Sequence, residues 1–230
     1  MIDSAYLTPT ALIDSDHRRV RELAVSLTIS AENDPVQQAM GLYYWVRDEI
    51  QYDPYTPFYK PEHYRASKII ETGRGFCVPK ASLLCALGRA CGIPSRVGIA
   101  TVRNHLATRQ LIEMLGSDLF SWHGFVEFYL DDRWVKATPT FNNQLCRKFN
   151  VQPLEFNGRE DSIFQEYNSG KKKFMEYVEF LGVFADIPVD TIVAGWKTTY
   201  GEERMSRWID ELERTHGRTW RIFINEEPVE

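Results

Sequence analysis

The chain predicts an α+β fold, and three observations carry that prediction. Apolar residues recur at helical spacing between Arg18 and Ala90. Alternating apolar and polar residues follow from Ser95 to Thr138. Asp131-Asp132, between two of the alternating runs, has the chemistry of a tight hairpin turn. Helices first, then an antiparallel sheet, is the order of α+β architecture.

Each element has its own local signal. Asp14-Ser15-Asp16 offers caps for a first helix through Arg18, Val20, Leu23, Ala24 and Leu27. Asn33-Asp34-Pro35 caps a second, whose Ala39, Leu42, Tyr43, Val46 and Ile50 form an apolar stripe for the core. Pro54, Pro57 and Pro61 forbid a regular helix in the next segment. Its aromatics predict a packed loop forming one wall of a cleft. A short helix from Ala66 to Glu71 leads into the turn Gly73-Arg74-Gly75. The next helix starts at Cys77, with Pro79 in its first turn, where a missing N–H costs nothing. It runs to Ala90 and is stopped by Gly92 and Pro94.

Ser95 to Val102 then alternates as a strand, and a polar helical insert is expected from Asn104 to Ser117. Trp122 to Leu130 and Arg133 to Thr138 are the next strands. Beyond Asn150 the pattern predicts a helix over Phe164 to Leu181, broken near Asn168-Ser169-Gly170. Another is expected from Gly201 to Thr215, with Met205, Trp208, Ile209 and Leu212 on one face. No repeat and no low-complexity linker divides the chain. One domain is expected over residues 1–230, with a core from Ala39 to Thr140 and a C-terminal elaboration from Asn150 onward that completes the core.

Composition narrows the function. A net charge of −5 argues against nucleic acid as the partner. Lys171-Lys172-Lys173 is the longest basic run, the length of a solvated turn. No apolar stretch approaches the ~18–20 residues of a membrane span. Met1 to Tyr6 lacks the basic and apolar regions of a secretory leader, so a cytoplasmic protein is expected. Cys77, Cys85, Cys91 and Cys146 show no CxxC spacing, which argues against a disulfide framework. The five histidines show no paired ligand spacing, so neither metal nor cofactor is expected.

The chemistry centres on Cys77. A cysteine at a helix N-terminus faces unpaired backbone N–H groups and the positive end of the macrodipole. Both favour the anion, so the thiol pKa is expected to fall below about 8.5, which would make it a nucleophile. A buried structural cysteine is the competing reading. His123 lies on a following strand, where an imidazole could hold the thiolate and protonate a leaving group. A group on the adjacent strand would orient that imidazole. Trp122 is the expected substrate-binding wall beside it.

Three motifs occur in a fixed order: Gly73-Arg74-Gly75-Phe76-Cys77-Val78-Pro79-Lys80 with its helix to Arg96-Val97, then Trp122-His123-Gly124-Phe125-Val126, then Trp134-Val135-Lys136-Ala137-Thr138-Pro139-Thr140. Together they resemble the transglutaminase-like superfamily over Ala39 to Thr140. The resemblance implies a papain-like α+β core with the nucleophile helix packed on an antiparallel sheet. It implies Cys77 as nucleophile and His123 as general base and acid, acting on a peptide or protein amide through a thioester. The third motif departs from the family, which has Asp where this chain has Thr138. A threonine hydroxyl accepts a hydrogen bond from the imidazole but supplies no charge. Replacing a charged hydrogen bond costs about 1–3 kcal/mol, felt in rate without abolishing it. Glu127 is too far along the strand to substitute, and Asn142 is a weaker stand-in.

Three functions follow from the resemblance. The first is thiol-dependent hydrolysis. The second is a catalytically silent relative that binds a peptide or protein, for which Thr138 is the only support. The third is amine transfer, ranked below hydrolysis because no second-amine site is legible.

Overall fold

The computed structural model describes residues 2–31, 33–105, 107–164, 171, 174–215 and 223–227. Helix α1 (Arg18–Thr28) starts at His17, whose Nδ1 accepts the Arg19 N–H at 3.2 Å. The expected cap at Asp14–Asp16 is displaced because Asp14 accepts the Ser67 N–H at 3.0 Å instead. Helix α2 (Pro35–Glu49) begins as predicted at Asp34, whose Oδ1 accepts the Val36 and Gln37 N–H groups, each at 3.1 Å. Its Ala39, Leu42, Tyr43 and Val46 are fully buried.

Strand β1 (Gln51–Tyr52), helix α3 (Ala66–Thr72), strand β2 (Arg74–Gly75) and helix α4 (Cys77–Ala90) follow. The stretch predicted as a simple turn at Gly73–Gly75 is a two-residue strand parallel to β1. Helix α4 is buried along almost its whole length, so it is the central element of the core rather than a surface helix.

The sheet is built from β3 (Ser95–Asn104), β4 (Leu119–Leu130), β5 (Arg133–Ala137) and β6 (Met175–Phe184), with α5 (Arg109–Leu115) between β3 and β4 and α6 (Asn143–Lys148) after β5. Its order is β5-β4-β3-β6, and every pairing is antiparallel. The hairpin between β4 and β5 turns at Asp131 and Asp132, with φ of 47° and 62°. Positive φ at both positions is what a two-residue turn matching the strand twist requires. Helices α7 (Val189–Tyr200) and α8 (Glu202–Arg214) close the chain. Trp196, Tyr200, Met205 and Leu212 join the same buried cluster as α4.

The main difference from the sequence reading is β6. A helix was expected through Leu181, but Met175–Phe184 pairs with β3. Tyr177, Val178, Phe180, Val183 and Phe184 are strand formers, and the open edge of β3 decides between the two periods. Two register shifts against β3 kink this edge strand. The expected break at Asn168-Ser169-Gly170 lies outside the described residues. Helix α5 occupies only Arg109–Leu115 of the predicted insert, with β3 reaching its first residue, Asn104, and β4 starting beyond it at Leu119. Among the described residues no helix is long and apolar enough to cross a membrane.

Candidate active site

Two backbone hydrogen bonds stitch β1 to the approach to α4: Gln51 N–H to the Gly73 carbonyl at 2.9 Å and Asp53 N–H to the Gly75 carbonyl at 3.1 Å. They hold Tyr52 beside the start of α4. Phe76 precedes the helix in extended conformation and offers no side-chain cap. The first-turn N–H groups are therefore left for another acceptor. Beside them the Cys77 thiolate is favoured by the backbone N–H groups of Gly124, Val78 and Cys77 itself. Gly124 is needed for this approach. A Cβ there would lie 2.9 Å from Val78 Cα, so any side chain would push the helix start off β4.

The expected fall in the thiol pKa does not occur. Burial outweighs the three N–H groups and pushes Cys77 up to about 11. Burial also pushes His123 down to about 3, with no neighbouring charge to oppose it. The helix-terminus argument has the right sign but the smaller magnitude, because the protein packed around the half-buried Cys77 desolvates its thiolate more than the N–H groups stabilise it. Cys77 and His123 line the same pocket. They stand there as a neutral thiol and a neutral imidazole.

His123 is aimed by a distortion of β4. Ala100 pairs with His123, and Val102 pairs with Phe120, so Ser121 and Trp122 face the single residue Thr101. This β-bulge puts Trp122 at φ 61°, a left-handed conformation rare for a bulky residue. Helix α7 takes over the backbone groups that the bulge releases. Trp196 Nε1 donates to the Ser121 carbonyl at 2.7 Å. The Ser121 N–H donates to the Tyr200 hydroxyl at 2.9 Å, which donates to the Leu119 carbonyl at 3.0 Å. The Trp122 ring lies directly against Gly195, where a Cβ would fall 1.9 Å from its Nε1.

The third position needs correction. Thr138 Oγ1 and His123 Nε2 are both buried without a hydrogen-bond partner, so no such bond joins them. A further polar group beside them is the Tyr177 hydroxyl on β6. Burial pushes it up to about 12, partly offset by Thr138 and the Phe164 backbone. The residue is 37% exposed, yet its hydroxyl end is the desolvated part. Its ring stands 6.3 Å from the His123 ring, and Phe164 stands 5.1 Å from it on another side. Asn142 is not a stand-in: its Oδ1 accepts the Tyr52 N–H at 2.8 Å, and its Nδ2 donates to the carbonyls of Arg47, Asp48 and Ile50. Glu127 is committed to Arg96 at 2.6 Å.

The pocket that holds Cys77 and His123 encloses about 670 Å³, counting its open mouth. Trp122 and Tyr52 line it, and so do Trp196, Tyr200 and Trp208 from the C-terminal helices. That segment, expected to complete the core, also lines the cleft. Sequence reasoning missed Tyr177 and Tyr200 because it assigned no strand after Asn150 and no helix at α7. The run Tyr177-Val178-Glu179-Phe180 was the available signal for β6.

A family model described as the transglutaminase-like superfamily matches residues 21–139. No curated protein matches the chain. Among solved structures, a candidate cysteine protease from Cytophaga hutchinsonii is 22% identical with a TM-score of 0.45, over 59% of this chain and 40% of that one. A candidate protease from Parabacteroides distasonis is 16% identical with a TM-score of 0.36, over 56% and 26%. The periplasmic domain of TgpA from Pseudomonas aeruginosa is 21% identical with a TM-score of 0.42, over 60% and 48%. The match spans less than half the length of each of these three structures.

Proposed function

The chain belongs to the transglutaminase-like superfamily, and we propose that it is a thiol-dependent hydrolase of peptide or carboxamide bonds. One observation carries the reading: Cys77, ringed by three backbone N–H groups, shares a pocket with His123.

The neutral resting pair sets the order of events. With the thiol at about 11 and the imidazole at about 3, a preformed ion pair is disfavoured. The imidazole instead acts as a general base while the sulfur attacks the carbonyl carbon. The Sγ–H proton passes to the ring as the C–S bond forms and the carbonyl oxygen gains the negative charge. The Cys77 N–H is the first donor to that oxyanion. The Tyr52 hydroxyl is the second: it lines the pocket, and burial and the proximity of Cys77 both raise its pKa. The imidazolium then protonates the departing amine, leaving a thioester. Water, deprotonated by the neutral imidazole, releases the acid and restores the thiol. Trp122 forms the wall against the substrate. The cytoplasmic location expected from the sequence stays part of the proposal. Cys77, Cys85, Cys91 and Cys146 are free, the state a reducing compartment maintains.

A second reading has its own observation. The unpartnered Thr138 hydroxyl and His123 Nε2 also suit a silent relative that only binds an amide or peptide. The test is release of amine from a panel of N-acyl amides by the wild type, Cys77→Ala and His123→Ala. Hydrolysis lost in both variants, with binding retained, supports the enzyme. Turnover that survives Cys77→Ala sinks it, and binding without turnover in the wild type establishes the silent relative. Transfer to an added amine in preference to water would make the chain a transferase.

A further inference from the structure

The pocket has a chemical bias that the reaction alone does not require. Among the described residues no Asp, Glu, Lys or Arg lines it. Phe58, Phe76, Phe120, Phe141, Trp196 and Trp208 supply rings, and Leu111, Leu115, Val102 and Met175 supply aliphatic surface. Several of the rings brace each other: Phe58 stands 4.3 Å from Trp208 and 5.2 Å from Trp196, and Phe76 stands 5.8 Å from Trp196. The walls are therefore fixed by packing between α4, the Tyr52–Tyr59 loop and the two C-terminal helices. Against this background one polar group stands out. Thr140 lines the pocket, is 1% exposed, and its hydroxyl has no hydrogen-bond partner. A buried hydroxyl without a partner costs free energy in the empty site and regains it when a ligand supplies the partner.

We propose that this pocket is the acyl-side subsite for an uncharged apolar group, of the class of an aromatic or long aliphatic side chain, with Thr140 Oγ1 hydrogen-bonding a polar atom of the substrate beside it. The proposal rests on the hydrolase reading and deepens it by naming the substrate class. The same desolvation that holds Cys77 and His123 neutral penalises any charged group brought between them. An apolar group pays no such penalty and gains by leaving water.

The test uses the full chain and three reagents with one electrophile: iodoacetate, iodoacetamide and N-benzyl-iodoacetamide. The rate of Cys77 labelling is followed by mass spectrometry, and each rate is divided by that of N-acetylcysteine with the same reagent. The normalisation removes intrinsic reactivity, so the ratios report the pocket. N-benzyl-iodoacetamide is expected to lead iodoacetamide by about tenfold, and iodoacetate to trail it by about tenfold. Leu115→Arg should erase that preference. Thr140→Val should slow both amide reagents by about threefold to tenfold while leaving Tm unchanged or raised. An intact preference with no turnover of any N-acyl amide would support the subsite and fail the hydrolase reading. Equal or faster labelling by iodoacetate, or a Thr140→Val variant with lowered Tm and unchanged labelling, overturns the proposal.

Discussion

Thr138 and His123 set the terms at the residue scale. Both carry a buried polar atom without a partner, and an unmade buried hydrogen bond costs about 1–3 kcal/mol. A site tuned only for stability would not retain two of them. A carboxylate at position 138 would give the imidazolium a partner and raise the His123 pKa from about 3. Thr138→Asp is thus expected to shift His123 titration upward by at least one unit in NMR spectra of the imidazole protons, at some cost in stability. An unchanged titration would show that residue 138 does not reach the ring. Lys80 illustrates the opposite case. It is fully buried, yet its ammonium nitrogen donates to the carbonyls of Arg47 at 2.9 Å and Ile50 at 2.5 Å, closing the end of α2. Burial pulls its pKa far down. Its polar group is satisfied and structural, while those beside Cys77 are not.

Helix α7 and strand β4 act as one unit at the element scale. The left-handed backbone at Trp122 costs about 1–3 kcal/mol, and such strain persists only where surrounding structure over-determines it. The bonds from Trp196 and Tyr200 supply that constraint. Tyr200→Phe removes the hydroxyl that bridges Ser121 and Leu119. It is expected to cost about 1–2 kcal/mol and to lower kcat more than KM, because His123 is aimed by the bulge but the pocket walls remain. A proportional rise in KM with kcat intact would instead mark Tyr200 as a binding residue. On the other face of β4, Gly124→Ala places a methyl group within 2.9 Å of Val78 Cα. The start of α4 must then retreat, taking the Gly124 N–H away from the sulfur. Overpacking of this kind costs about 1–3 kcal/mol, to be read from urea denaturation midpoints.

The pH dependence of stability belongs to the whole molecule. His123 falls from 6.5 in the unfolded chain to about 3 in the folded one. Protonation therefore favours unfolding, and its contribution is complete above pH 6.5 and lost as pH falls toward 3. Cys77 rises from 9.0 to about 11, so its contribution is complete below pH 9 and lost as pH rises toward 11. Cys85 and Cys146 move the same way, to about 12 and about 11. His123 and the cysteines alone give a falling limb below pH 6.5 and another above pH 9 in urea midpoints, while Lys80, whose pKa burial pulls far below 10.5, adds stability as pH rises toward 10.5. Each unit of displacement is worth about 1.4 kcal/mol. His123→Leu should flatten the acid limb, and an acid limb of unchanged slope in that variant would assign it to another group.

Local chemistry made much of this legible in the sequence. Asp34 before Pro35 starts α2, Pro79 one turn inside α4 fixes where that helix begins, and Asp131-Asp132 turns the β4–β5 hairpin. These are decisions between neighbours in the chain, and they place Cys77 at a helix start and His123 on a strand. The family followed from the order of those motifs. Everything that depends on distant groups was decided by the tertiary structure. The Tyr177 strand formed only because β3 offered an open edge. The bulge at Trp122 exists because α7, more than seventy residues later, accepts and donates its hydrogen bonds. The state of Cys77 reversed because desolvation is set by everything that surrounds the sulfur, whereas the helix terminus acts on it from one side. Sequence determined which element carries each group, through short-range capping and turn chemistry. Only the packed molecule determined how dry they are, and dryness sets their charge.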